Sequence, residues 1–394
     1  MQANSSRSLV TYLVCFVGFT EAIIYGFSFP YYSLLLEQRG LSSTLIGMNA
    51  MLGSLGVLAV GPLVPGLIVR LGYAKFSIVA MLTAGVSFAA IAVVNDTWAL
   101  FVYRTVLGTA LAGLWISTEA WLNHVVDNRY RGLMNGIFQM GYSFGFFLGP
   151  CLIYVTDIST LWGPAAAASI ALVTMAALSA FRDKGSSDFE EEDSVNWQVA
   201  WQARGLLLIA ALVGIAETAL YTLLPVFGIG IGLTHQVAVA ILVTYTFGEV
   251  ILTMPLGWLA DRLDRRKLLA GCALVASVSV FAVSAVNPIP VAGWTGAFIA
   301  GGTVVGLYNL ALVVVGETYK GKNLPLVSTA FSMAYSLGCA AGAAVGGAAM
   351  DLFGPQGLIV SIGLILIVFC IGAYFGLSGL GRQAAPTKAI AETL

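Results

Sequence analysis

The stretch QMGYSFGFFLG (residues 139–149) returns later in the chain, in altered form, as SMAYSLGCAAG (332–342), and the two align without a gap. The same shift places Gly113 on Gly306 and Asn135 on Ser328. A match of this kind across the whole length predicts two copies of one ancestral unit. Repeated halves with a binding site at their interface are typical of secondary transporters.

The composition predicts that most of the chain lies in lipid. Of the 394 residues, 59% are hydrophobic and 9% are charged, whereas soluble domains have about 45–50% and about 25%. The formal net charge of −1 gives no indication of nucleic-acid binding. The five cysteines all lie in apolar runs without paired spacing, which argues against a disulfide framework or a zinc site. We therefore expect no metal and no cofactor.

Twelve apolar stretches are long enough to cross a bilayer, which takes about 20 residues each. Backbone groups cannot stay unpaired in hydrocarbon, so these stretches must be helices. The fold class predicted is an all-α membrane protein with twelve transmembrane helices in two pseudo-symmetric halves. The predicted spans are 9–35, 45–69, 74–94, 98–123, 132–155, 160–181, 204–228, 236–260, 267–286, 291–316, 324–350 and 356–378.

The basic residues predict the orientation. Sixteen of the 18 Lys and Arg residues fall on one side, and only Arg39 (in a loop) and Arg104 (within a span) do not. The positive-inside rule then makes both termini cytoplasmic. The predicted organisation is an N-terminal half (1–181), a cytoplasmic acidic linker (182–203), a C-terminal half (204–380) and a cytoplasmic tail (381–394).

Four motifs resemble the major facilitator superfamily of transporters. GWLADRLDRRK (257–267) is close to that superfamily's loop signature G-x-L-a-D-R-x-G-R-R-K, and PGLIVRLGYAK (65–75) is a degenerate copy with valine in place of the aspartate. LFVYRTVLG (100–108) matches the L-x-x-x-R-x-x-x-G pattern of span four. GFFLGP (145–150) is similar to the start of the motif of proton-coupled antiporters, although the following glycine pair is missing.

The resemblance implies which residues gate the transporter and which spans line its cavity. Spans one, four, seven and ten would surround the cavity, with two, five, eight and eleven beside them. The loop signature would latch the cytoplasmic side while the halves rock, and an aspartate there can lie against a helix N-terminus. The gating residues expected are Arg70, Asp261, Arg262, Arg265 and Arg266.

Carboxylates inside the spans are candidates for the coupling site. A charge at the centre of a transmembrane helix costs about 2.5–3.5 kcal/mol on insertion scales, so intramembrane acids are functional by default. Glu21 and Glu217 occupy equivalent positions in the two halves, and each precedes a tyrosine by four residues. Glu249 lies at similar depth, and Glu119, nearer the end of its span, ranks below them. Burial favours the protonated form of such groups, which links proton binding to substrate binding.

Helical phase predicts which residues share a helix face, and therefore the cavity, with these acids. Arg104 is the one basic residue within a span and is the expected counter-ion of Glu21. The residues expected to line the substrate cavity are Tyr25, Trp115, Asn135, Gln139, Tyr142, Tyr221, Tyr308, Asn309, Ser332 and Tyr335.

The sequence therefore predicts a proton-coupled secondary transporter in the bacterial inner membrane that moves a small organic, amphipathic or cationic solute by alternating access. Its partners would be the solute, protons and the lipid bilayer, and it would act as a monomer. The partial antiporter motif favours export over proton-symporting import. A transporter-like sensor or assembly factor is the alternative from another class. No G-x-x-x-x-G-K-[ST] and no H-E-x-x-H is present, so neither an ATP-driven pump nor an enzyme is expected.

Overall fold

The computed structural model describes residues 2–91, 96–126, 130–180, 203–319 and 323–380, and the regular elements in these ranges are helical. The predicted tail (381–394), all but residue 203 of the predicted linker, and the side chain of Arg266 lie outside the described residues. The helices are α1 (Gln2–Gln38), α2 (Ser43–Leu71), α3 (Tyr73–Ile91), α4 (Thr97–Val125), α5 (Arg131–Thr156), α6 (Trp162–Ser179), α7 (Arg204–Gly230), α8 (His235–Ala260), α9 (Arg265–Val283), α10 (Pro290–Thr318), α11 (Asn323–Phe353) and α12 (Gln356–Leu380).

Each predicted span overlaps one of these helices, which confirms the fold class; residues 92–94 and 181 of the predicted spans lie outside the described residues. Eleven helices in the described ranges are long and apolar enough to cross a membrane, and the apolar part of α9, Lys267–Val283, is shorter. The residue before α2, Ser42, accepts a hydrogen bond from the backbone N–H of Leu45, and Thr234 does the same at the start of α8. Such caps satisfy N–H groups that have no partner within the helix. A 3₁₀ turn at Gly61–Leu63, containing a proline, interrupts α2.

The same packing scheme occurs in both halves of the bundle. Helix α1 packs on α5 as α7 packs on α11, and α2 packs on α4 as α8 packs on α10. The outer pair α3 and α6 corresponds to α9 and α12. The repeat read from the sequence is therefore present in the helix contacts.

The halves join where α2 crosses α11 and α5 contacts α8, at the side of the bundle that carries the loop of Arg39. We call this the Arg39 side and the opposite end the Asp261 side. At the crossing of α2 and α11, a Cβ on Gly47 would overlap the backbone of Ala343, and a Cβ on Gly347 would overlap the backbone of Ser43. Small residues allow two helix backbones to approach this closely.

A carboxylate clamps the halves together at the Arg39 side. Asp351, near the end of α11, accepts hydrogen bonds from the backbone N–H groups of Ser43 and Thr44, both at 2.9 Å. These N–H groups belong to the first turn of α2, where the helix dipole favours negative charge. Beside this clamp, His235 Nε2 of α8 lies 3.7 Å from Glu37 Oε2 of α1. Two polar contacts between the halves therefore close this side.

The described residues give no comparable clamp at the Asp261 side. The helices α4 and α10, one from each half, make no extended packing contact there. Within the described residues, the polar contacts between the halves lie at the Arg39 side, and α4 and α10 do not pack against each other.

We predict that Asp351→Asn weakens the closure of the Arg39 side. Asparagine keeps one acceptor and loses the charge that interacts with the helix N-terminus, so the closed state should lose on the order of 1 kcal/mol, or about a fivefold change in the closed-to-open ratio. The ratio can be measured by electron–electron resonance between spin labels at Trp162 and Val291, which are exposed on opposite halves.

Asp157→Asn is the matched control, because Asp157 accepts its hydrogen bonds from Ser159 within its own half. An unchanged distance distribution in Asp351→Asn would rule out the clamp.

Candidate functional site

A cavity of about 210 Å³ lies between the two halves. Both halves contribute to its lining. Six helices supply tyrosine, phenylalanine or tryptophan side chains, and the lining also contains two glutamates. The lining residues are Tyr25, Phe29, Ser54, Val57, Ala112, Trp115, Gln139, Tyr142, Phe146, Glu217, Thr218, Tyr221, Glu249, Tyr308, Ser332, Tyr335, Ser336 and Cys339. Ten of the side chains predicted from the sequence are in this set.

The two glutamates of the cavity come from neighbouring helices. Glu217 lies near the middle of α7 and Glu249 near the middle of α8, and both line the cavity. The phenol of Tyr221 donates a hydrogen bond to Glu249 Oε2, and the phenol of Tyr335 interacts in the same way with Glu217. Each carboxylate therefore has one tyrosine donor.

Aromatic rings from both halves meet around Tyr221. The ring of Phe146 lies edge-on to Tyr221 with centroids 4.8 Å apart, and the ring of Phe29 lies 6.5 Å away. On the other wall, Tyr308 and Tyr335 have centroids 4.5 Å apart. Aromatic pairs at these separations contribute about 0.5–1.5 kcal/mol beyond the area they bury. They give the cavity a firm apolar wall that spans the interface.

Glu21 is the repeat equivalent of Glu217, yet it does not line the cavity. Its side chain is fully buried, and Thr118 donates to its Oε2 at 3.4 Å. Its other oxygen has no hydrogen-bond partner within the described residues. A buried carboxylate in such surroundings is far less costly when it is protonated. The repeat thus places two glutamates at equivalent positions but in different environments.

Arg104 does not form an ion pair with Glu21, which corrects the prediction from the sequence that Arg104 is the counter-ion of Glu21. Its guanidinium donates to Ser28 Oγ at 2.8 Å and lies over the rings of Phe29 and Tyr32, at 4.5 and 5.2 Å. The ion pairs of the described residues do not include it. Arg104 lies near the Arg39-side end of α4, where α1 and α2 enclose it, whereas Trp115, on the same face, reaches the cavity.

Three further predicted residues lie outside the lining. Glu119 is half-buried on α4, and its backbone carbonyl accepts a hydrogen bond from Asn123. Asn135 donates to Asn123 Oδ1 at 3.1 Å. Asn309 is exposed on α10, beside Tyr308. Helical phase alone could not exclude them, because it fixes the face of a helix and not the depth at which that face meets its neighbours.

The residues predicted to gate the Asp261 side form contacts within the second half. Arg265 lies 3.6 Å from Asp261, which is largely exposed, and also pairs with Glu317 of α10. Its Nε donates to the carbonyl of Ala260 at 3.0 Å. Arg262 lies over the ring of Trp258 at 4.0 Å. In the first half, Arg70 is exposed at the end of α2.

Sequence reasoning missed several lining residues that continue the predicted faces by one turn. Phe29 follows Tyr25 by four residues, and Phe146 follows Tyr142 by four. Cys339 follows Tyr335 in the same way on α11. Extending each polar stripe through its apolar members would have found them. Within the described ranges, no group of three or more metal-ligating side chains occurs.

A bundle of membrane-spanning helices in two matched halves, with a cavity at their interface, is the architecture of a membrane transporter. The family model of the Major Facilitator Superfamily matches residues 14–244 and 206–391. The chain belongs to this superfamily.

Two curated relatives are similar over most of their length. The uncharacterized MFS-type transporter YfkF of Bacillus subtilis (strain 168) is 24% identical over 364 residues, which cover 91% of this chain and 92% of the relative. The uncharacterized MFS-type transporter YcaD of Escherichia coli (strain K12 / DH10B) is 21% identical over 344 residues, 86% of this chain and 88% of the relative.

Solved structures share the fold. The nucleoside transporter NupG has a TM-score of 0.73 at 13% identity and covers 94% of this chain and 99% of its own. The D-xylose–proton symporter has a TM-score of 0.75 at 13% identity, with coverage of 93% and 97%. A bacterial homolog of the human lysosomal transporter Spinster, in an inward-facing and unoccupied conformation, has a TM-score of 0.75 at 12% identity, with coverage of 95% and 97%.

We predict that Glu21→Gln and Arg104→Gln have additive effects on stability, because the two side chains share no contact. The sum of the single effects on the free energy of unfolding in mixed micelles should equal that of the double variant within about 0.5 kcal/mol. The control cycle pairs Arg104→Gln with Ser28→Ala, which do share a hydrogen bond and should couple. A coupling energy above about 1 kcal/mol between Glu21 and Arg104 would restore the ion pair.

Proposed function

We propose that this protein is a proton-coupled secondary transporter that exports a small organic solute by alternating access. The observation that carries the proposal is the carboxylate pair Glu217–Glu249 in the cavity between the halves. Two carboxylates that share one cavity away from bulk water repel each other, and binding one proton relieves that repulsion. Proton binding and solute binding at the same cavity are then linked.

The two carboxylates of the pair are sufficient for a cycle that couples proton transfer to solute transport. With the cavity open to one side, a proton binds one carboxylate and the solute leaves. With the cavity open to the other side, the proton is released and the solute binds. The phenols of Tyr221 and Tyr335 donate to the carboxylates, and donation to the charged form favours it. These contacts keep the two carboxylates able to bind and release a proton whichever side of the membrane the cavity opens to.

The contacts between the halves support alternating access. In the proposal, the Asp351 clamp closes the Arg39 side, and the cavity opens toward the Asp261 side, where α4 and α10 do not pack against each other. In the proposal the Asp261 side is cytoplasmic, as are both termini, in keeping with the distribution of basic residues. Breaking the clamp and forming a latch through Asp261 and Arg265 would expose the cavity to the outside.

A proton-symporting importer remains the second candidate, because proteins of the same fold include the D-xylose–proton symporter and the Escherichia coli fucose–proton symporter FucP. The two directions differ in the sign of the response to a pH gradient. A sensor or assembly factor would show no gradient-driven flux.

The experiment is a substrate screen in proteoliposomes under an imposed pH gradient, with cationic, neutral and anionic organic solutes. Accumulation against the solute gradient, in the direction opposite to proton flow, supports the proposed exporter. Accumulation in the direction of proton flow supports the importer. Flux that ignores the pH gradient contradicts proton coupling in either direction.

We predict that Glu249→Gln and Glu217→Gln each lower pH-driven transport at least tenfold while they leave solute exchange between equal pH compartments measurable. Each substitution removes one of the two carboxylates that carry the proton. Glu21→Gln should retain most of the transport, since Glu21 does not line the cavity. The sequence repeat alone favoured Glu21 with Glu217, whereas the cavity favours Glu249 with Glu217.

Asp96→Asn is the control for removing one acid, because Asp96 caps α4 at its end by accepting from the backbone of Trp98. Full pH-driven accumulation in both Glu217→Gln and Glu249→Gln would end the proposed mechanism.

A further inference from the structure

We propose that the solute is a small monovalent organic cation, a quaternary or protonated tertiary ammonium with apolar substituents, held between the Glu217–Glu249 pair and the aromatic walls of the cavity. The inference rests on the proposed transport function and names the substrate class of the same cavity. Three properties of the lining lead to it: its charge, its aromatic faces and its size.

The charge of the lining selects a cation. The described lining residues include two glutamates and no lysine, arginine or histidine. Arg104, the basic residue within a span, is enclosed by Ser28, Phe29 and Tyr32 outside the lining. An anion would enter a site that already holds negative charge in a low dielectric, where repulsion is strong. A cation would neutralise one of those charges.

Aromatic faces are the surface that an alkylammonium group prefers. A cation within about 6 Å of a ring centroid is attracted by about 0.5–2 kcal/mol per ring, most where water is excluded. Rings from both halves line the same cavity: Tyr25, Phe29 and Phe146 from the first half, and Tyr221 and Tyr335 from the second. Carboxylates that neutralise the charge, with rings that surround the substituents, are complementary to both parts of such a cation.

The cavity size and the coupling limit the solute to a small, singly charged molecule. The volume of about 210 Å³ lies below the roughly 300–1,000 Å³ of sites for drug-sized ligands. One proton leaves the pair when one positive charge binds, so the exchange of a monovalent cation for a proton conserves the charge of the site.

The first test uses the wild-type protein and needs no variant. Binding of choline and of benzyltrimethylammonium to the protein in detergent is measured by isothermal titration, with 3,3-dimethylbutan-1-ol as the neutral isostere of choline and benzenesulfonate as the anion. We expect both cations to bind at least tenfold more tightly than the neutral isostere, and no binding of the anion. Because protons compete for the same carboxylates, cation affinity should fall as the pH is lowered.

The second test uses matched variants. Glu249→Gln should weaken binding of benzyltrimethylammonium at least tenfold and flatten its pH dependence, whereas Asp96→Asn should change neither. Phe146→Leu should weaken it about tenfold through the lost ring face. Phe144→Leu is its control, because Phe144 lies on the same helix, is exposed and does not line the cavity.

The outcomes separate this inference from the proposed function. Equal affinity for choline and its neutral isostere, or tighter binding of the anion, overturns the inference and leaves proton-coupled transport to be judged by the proteoliposome screen. Selective cation binding that Glu249→Gln weakens at least tenfold supports the inference even if the flux proves independent of the pH gradient.

Discussion

The constraint on which the whole structure depends is the cost of a charge in hydrocarbon. The helices satisfy their own backbone groups, so the bilayer tolerates them, but Glu217 and Glu249 need a cavity with hydrogen-bond donors. Tyr221 and Tyr335 provide those donors from α7 and α11. Placing the acids at the interface of the halves, rather than inside one half, gives them access to water whenever the halves part.

The sequence was sufficient to predict the helices, but it was not sufficient to predict which residues contact the charged side chains. Hydropathy and length determine a span locally, so each predicted span overlaps a helix. Whether a glutamate reaches the cavity depends on the neighbouring helix at its depth, which the repeat does not encode. Glu21 is enclosed beside Thr118 while Glu217 is open to the cavity. Arg104 was assigned to Glu21 by depth alone, and its contacts are with Ser28 and two rings.

The binding surface belongs to neither half alone. Tyr221 of the second half touches the rings of Phe29 and Phe146 of the first half and also holds Glu249. A relative movement of the halves therefore changes the aromatic walls and the hydrogen bonding of a carboxylate together. Because one residue takes part in both, a change in the shape of the site and a change in its proton affinity are coupled by geometry. A transporter that used separate sites would need a longer chain of contacts to link the two.

The clamp at the Arg39 side joins a side chain to a backbone. Asp351 binds the N–H groups of residues 43 and 44, and these groups are present whatever side chains those positions carry, proline excepted. Substitutions other than proline at residues 43 and 44 therefore leave the N–H partners of Asp351 in place, and the side chain that makes this contact comes from the second half alone. In evolutionary terms, the strength of the closure can be tuned by changing a single codon.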